Sequence, residues 1–237
     1  VIFRRDADGI PLVRKASGHS LPRLAGAGDS MIRETQQVLE EQCMKHGVVR
    51  RGDQIPLELV HTNKQINGLI ALDLTTGSLN SLQTKCLIIA DGGYEGVWTG
   101  TKVGLGLDLA MKAGLAVRDL EFVAWAPLAV KGTNVVLPIG MLADGATLHH
   151  SNGTPLDVEL TADSTKLSEA IISKGDVVLD ARDMGESSVW WSQTFELVLQ
   201  RLGINMKKQT VSVQPRVATT IGGIATDEHG RAVIGRW

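Results

Sequence analysis

Hydrophobic and polar positions along the chain change period several times, and each change predicts an element. Met31, Ile32, Val38, Leu39, Cys43 and Met44 recur at roughly helical spacing. They predict a helix from about Ser30 to His46, with Asp29 or Ser30 as N-cap and Gly47 just past its last turn. Ahead of it, Ile2 to Gly9 reads as a short strand entering an Asp-Gly turn. From Ile55 to Ala90 the period drops to two. Leu57, Leu59 and His61, then Ile66 to Leu74, a Thr75-Thr76-Gly77 turn and Leu79 to Ala90 predict an antiparallel meander with one wet face. Its last part, Cys86 to Ala90, is continuously apolar and predicts a buried strand ending in the Gly92-Gly93 pair. A glycine-punctuated loop over Val103-Gly104-Leu105-Gly106 follows, and after it a segment of helical period that ends at Ala113-Gly114. Beyond Phe122 the pattern is mixed. Turns are expected at Asp144-Gly145 and Asn152-Gly153, a short helix at Lys166 to Ser173, a strand at Val177 to Asp180, and a helix from Ser192 to Leu202 closed by Gly203.

A short apolar strand, a turn only glycine tolerates and a helix form the arrangement at which ligands collect in α/β sheets. The residues that follow narrow it. Asp91-Gly92-Gly93, Val103-Gly104-Leu105-Gly106, Ala113-Gly114 and Asp119-Leu120-Glu121-Phe122 stand in one order. That order resembles the flavoprotein subunits of succinate dehydrogenase, fumarate reductase and L-aspartate oxidase. Their motifs run Thr-Gly-Gly, Thr-Gly-Asp-Gly, Ala-Gly and Asp-(Leu/Met)-Glu-Phe. Gly18-His19-Ser20 with Arg23 is similar to a Gly-Gly-His-Ser-x-x-Arg segment of the same family. Thr220-Ile221-Gly222-Gly223-Ile224, Thr226-Asp227 and Gly230-Arg231 resemble the place where its chain returns to the flavin domain.

The resemblance implies an α/β fold: an incomplete FAD-binding, glutathione-reductase-like domain from residues 1–123 and 217–237, with an inserted α+β capping domain at 124–216. It implies FAD as cofactor, with Gly92, Gly93, Gly104, Gly106, Gly222 and Gly223 approaching it. The family's Gly-x-Gly-x-x-Gly turn, which holds the FAD pyrophosphate, is not in the sequence. The chain starts at Val1 in ordinary sequence and stops at Trp237, so it reads as a segment of something longer or a divergent member.

The resemblance also implies lost chemistry. The family's Phe-His-Pro-Thr falls on Trp125-Ala126-Pro127-Leu128, its Arg-Gly-Glu-Gly on Leu142-Ala143-Asp144-Gly145, and its His-Tyr-Thr on Ala218-Thr219-Thr220. Polar and charged groups have become aliphatic, and a dicarboxylate desolvated against such walls has no partner. No residue is left in a catalytic role. A flavoprotein oxidoreductase segment is one reading; a scaffold or partner-binding subunit without redox chemistry is the other.

Composition adds bounds. Hydrophobic residues at 43% can bury a core, and a formal net charge of −2 speaks against nucleic acid. No apolar run is long enough to span a bilayer, and no signal peptide is legible. Cys43 and Cys86 form no Cys-x-x-Cys pair, so no metal site is expected; both read as reduced core residues of a cytoplasmic protein. His149-His150 reads as a solvated loop and Trp190-Trp191 as core. A sheet lacking its first βαβ unit leaves an apolar edge, which predicts a partner chain or self-association.

Overall fold

The computed structural model describes residues 2–14, 19–100, 103–157 and 164–235. Residues 15–18, which carry part of the Gly-His-Ser resemblance, lie outside them. In chain order the elements are β1 (Val13–Arg14), β2 (Leu24–Ala25), α1 (Met31–Lys45), β3 (Gln54–Thr62), β4 (Gln65–Asp73), β5 (Leu79–Gln83), α2 (Gly96–Thr99), α3 (Leu105–Lys112) and β6 (Val117–Arg118). There follow β7 (Val123–Val130), α4 (Gly140–Ala143), β8 (Thr147–His150), α5 (Ser164–Lys174), β9 (Val177–Asp180), α6 (Ser192–Leu202), β10 (Val211–Thr220) and β11 (Gly223–Ile224). Two compact units result: residues 1–48 with 125–216, and residues 49–124 with 217–237. Residues 1–48 thus group with the segment read as capping domain, not with the flavin-type part.

The first unit is built on a four-stranded sheet of order β7-β10-β9-β8. The antiparallel register sets Leu148 opposite Leu179, and Val211 opposite Leu179 on the other side. Leu128, Leu137, Met141, Leu179, Val198 and Met206 make its core, each within 1% of full burial. Helices α5 and α6 cover it with Leu167 and Ile171, and with Phe195 and Val198. Neither the N-cap side chain nor its own first turn caps α6. Instead Asp29 Oδ2 accepts the Thr194 amide at 2.6 Å, 165 residues away in sequence. The same stretch is tied down by Arg4, which donates to the Val189 carbonyl at 3.1 Å, and by Arg14, which pairs with Asp144. Both guanidiniums lie over the Trp190 ring, at 5.1 and 4.6 Å. Burial, and then the neighbouring Arg4, push the Arg14 guanidinium's pKa down.

The predicted helix at 30–46 exists as α1, but none of its residues is buried, and Ile32 is 83% exposed. The helical stripe is real. What is missing among the described residues is a surface packed against it. The predicted strand at Ile2 to Gly9 is reduced to an Arg5–Pro11 bridge, because Asp6 turns the chain by accepting the Asp8 and Ile10 amides.

The second unit holds the meander, order β3-β4-β5, whose first hairpin turns at Asn63-Lys64, both with positive φ (52° and 65°). The second turns at Asp73, whose Oδ1 accepts the Thr75 and Thr76 amides at 2.9 and 3.1 Å. These bonds, the Thr76 amide first and then the Gln54 side chain, hold the Asp73 carboxyl below the usual carboxylate range. Helix α3 packs on β3 through Leu59, Leu109 and Ala113. A two-residue ladder joins β6 and β11.

Two expectations fail here. Cys86 to Ala90 forms no strand and is not buried: the segment belongs to no sheet, and Ile88 is 83% exposed. Leu87 and Ile89 pack onto the Leu59–Leu109 cluster, while Cys86, Ile88 and Ala90 are exposed. A strand needs a neighbour to accept its hydrogen bonds, and the described residues supply none here. Cys43 and Cys86 are not core residues; both are exposed free thiols, one on the open α1 and one at the head of this segment.

Candidate functional site

The glycine-rich motifs do not all serve one surface. A cleft of about 680 Å³ in the second unit is walled by residues 85–94, by Gly222-Gly223-Ile224, and by 229–232. Gly92, Gly93, Gly222 and Gly223 line it; Gly104 and Gly106 do not. Each glycine has its own physical reason. Gly92 takes φ +88°, a left-handed conformation. A Cβ on Gly93 would overlap Thr220 Oγ1 and Glu95 Oε2, and one on Gly222 would overlap the Asp119 carbonyl. Gly104 (φ +70°) is the N-cap of α3, where a Cβ would stand 2.7 Å from Tyr94 Cβ. Gly106 makes room for Asp91 and Ile89. Gly223 differs from these, because a Cβ there would meet nothing within 4 Å. Gly223 is also a lining residue of the cleft.

The turn is locked from both sides. The Tyr94 amide donates to the Thr220 hydroxyl oxygen at 3.2 Å, and the Tyr94 hydroxyl donates to the Leu120 carbonyl at 2.6 Å. Burial, and then the Glu121 carboxylate, push the Tyr94 phenol's pKa up, so it stays a neutral donor. Lys64, Lys85, His229 and Arg231 line the cleft, against one carboxylate among the described lining residues, Asp91. The rest of the wall is apolar, including Leu59, Ile66, Ile89, Leu107 and Ile224. Such a cleft suits an anionic ligand with a large apolar or planar part.

Sequence reasoning missed Lys64, Lys85, Asp91 and Arg231 as lining residues. Lys64 and Arg231 are brought to the cleft by the hairpin and the chain's return; no local motif marks Lys64, and Gly230-Arg231 was read as a motif but not as cleft lining. Asp91 was visible, since it stands where the resembling motif has threonine.

Three of the aliphatic replacements, Ala126, Leu128 and Leu142, lie in the first unit. Leu128 is wholly buried, Ala126 is 8% exposed, and Leu142 packs on the same core as Met141. Asp144 pairs with Arg14 and accepts the Trp191 indole N–H at 2.7 Å. In the second unit Ala218 and Leu105 are exposed. The His149 ring meets the Thr147 hydroxyl at 2.8 Å, and among the described residues no group of three metal-ligating side chains gathers. Trp190 is 8% exposed, a core residue as its apolar setting predicts. No helix among the described residues is long and apolar enough to cross a membrane.

These features define an FAD-type α/β flavoprotein chain. A family model described as an FAD binding domain matches residues 2–235, and the chain belongs to that family. The relatives it resembles are succinate dehydrogenase and fumarate reductase flavoprotein subunits. It is 26% identical to the fumarate reductase flavoprotein subunit of Escherichia coli over 96% of this chain and 44% of that one. It is 25% identical to the succinate dehydrogenase flavoprotein subunit of Rickettsia bellii over 98% and 43%. Among solved structures, E. coli quinol fumarate reductase carrying an FrdA E245Q mutation matches with a TM-score of 0.82 at 24% identity, covering 94% of this chain and 44% of that one. A quinol-fumarate reductase with menaquinol molecules gives 0.86 at 23%, covering 97% and 46%. The chain therefore spans less than half the length of the relatives it matches. FAD is the cofactor that family membership implies.

Proposed function

We propose that this chain supplies part of an FAD site in a flavoprotein of the succinate dehydrogenase and fumarate reductase type, without handling a dicarboxylate itself. The observation that carries this reading is the cleft between Gly92-Gly93 and Gly222-Gly223, with open space beside Gly223. The residues present fit the group. Backbone at four glycines admits close approach, Lys64, Lys85 and Arg231 offer charge to phosphates, and Ile89 and Ile224 offer an apolar wall. Bound there, FAD would supply hydride chemistry. The chain's own residues bind and orient it; none is assigned a proton transfer, because Ala126, Leu128, Leu142 and Ala218 carry no titratable group. In this reading Gly104 and Gly106 act indirectly, through α3, and residues 124–216 serve as the cap. Partner chains complete the assembly, in keeping with the relatives' being named subunits. A cytoplasmic setting belongs to the same proposal.

The experiment is a titration of the purified chain with FAD, followed by visible absorption after desalting, beside Gly223→Val. A Cβ at position 223 meets no protein atom within 4 Å, so the variant is expected to fold, which a thermal melt checks, while its side chain narrows the space beside this backbone. Retained flavin, weakened by about tenfold or more in the variant and not reduced by succinate, is the expected result. The same failure to retain flavin in both chains would overturn the reading and favour the scaffold alternative, for which the buried aliphatic Leu128 speaks.

A further inference from the structure

The wall of the cleft that carries Gly92-Gly93 is the segment that belongs to no sheet. Something other than a strand ladder must hold it. One side is fixed by Leu87 and Ile89 on the Leu59–Leu109 cluster, and the far end by Tyr94 on Thr220. Between them the observed tie is Asp91. Its Oδ2 accepts the Gly106 backbone N–H at 2.7 Å, in the first turn of α3. That helix begins at Gly104, which has no side chain to offer as a cap. Its first amides carry the positive end of the helix dipole, so an ionised carboxylate is the acceptor they favour. The contact is built for: a Cβ on Gly106 would overlap Asp91 Oδ1 and Ile89.

We propose that Asp91 is the positioning residue of this cleft, reaching over 15 residues to cap α3 and thereby holding the Gly92-Gly93 turn at the wall. Gly106 is glycine to admit that carboxylate, not to face the ligand. The sequence itself carries a matching exchange. Where the resembling motifs have threonine and aspartate, this chain has Asp91 and Leu105, so the acid has moved from the loop before α3 to the segment that the helix holds. The consequence for the ligand rests on the FAD reading; the tie itself does not.

Two measurements separate them. Amide hydrogen exchange, without any ligand, compares the wild-type chain with Asp91→Ala, Asp91→Asn and Gly106→Ala. Exchange at Gly106 and across 92–94 rises about tenfold or more in Asp91→Ala and Gly106→Ala, and within about threefold of wild type in Asp91→Asn, which keeps an acceptor oxygen. FAD affinity then follows the same order, with Asp91→Asn rescuing most of what Asp91→Ala loses. Unchanged Gly106 exchange in Asp91→Ala, or an Asp91→Asn chain as impaired as Asp91→Ala, overturns the proposal. A wild-type chain that takes up no FAD overturns the FAD reading alone, and the exchange comparison still decides the tie.

Discussion

At Gly222 a single missing methyl lets two backbone segments meet, because a Cβ would overlap the Asp119 carbonyl. Gly222→Ala is expected to cost about 1–3 kcal/mol, read as a lower urea midpoint at unchanged slope. At Asp73 the sign of a pH effect follows from the same kind of local bonding. Its carboxyl is held low in the fold, so its contribution is present above the ordinary carboxylate pKa and is lost as pH falls through the folded value. The Thr75 and Thr76 amide resonances are expected to shift together below about pH 4, and Asp73→Asn to abolish the step. The glycines were legible in the sequence as turns and close approaches. Which of them face the cleft was not, because Gly106 and Gly223 look alike in sequence and differ only in what stands opposite.

Elements were legible where they bury their own face. Helices α5 and α6 and strand β9 fall where the periodicity put them, because Leu167, Ile171, Val198 and Leu179 all find the core of the same unit. The meander was equally plain as far as Gln83, with the Thr75-Thr76-Gly77 turn marked in the sequence and the Asn63-Lys64 turn supplied by the structure. Segment 86–90 was not, since an apolar run states a wish for burial and not who supplies it. Helix α6 shows what local reading also misses: its acceptor, Asp29, lies far upstream. Asp29→Ala is expected to lower stability by about 1 kcal/mol and Asp29→Asn by less, in thermal melts of the two variants.

For the whole molecule, the motif order identified the family, and the meander and glycine turns carried that identification because they are local. That Lys64 from the hairpin and Arg231 from the chain's return line one cleft stayed hidden, because it is a matter of tertiary placement. Among the described residues α1 and residues 86–90 stand open, with Ile32 and Ile88 each 83% exposed. Such surfaces favour association. Sedimentation over a hundredfold dilution is expected to show a concentration-dependent mass, and a constant monomer would contradict it.

Cys86 stands at the head of that uncovered segment as an exposed thiol. This makes the chain its own footprinting reagent. A maleimide should label Cys86 rapidly in the isolated protein and slowly once anything lies along 86–90, while Cys43 reports separately on α1. The ratio of the two labelling rates, read by peptide mass spectrometry, would tell which open face a bound protein has occupied, without any engineered probe.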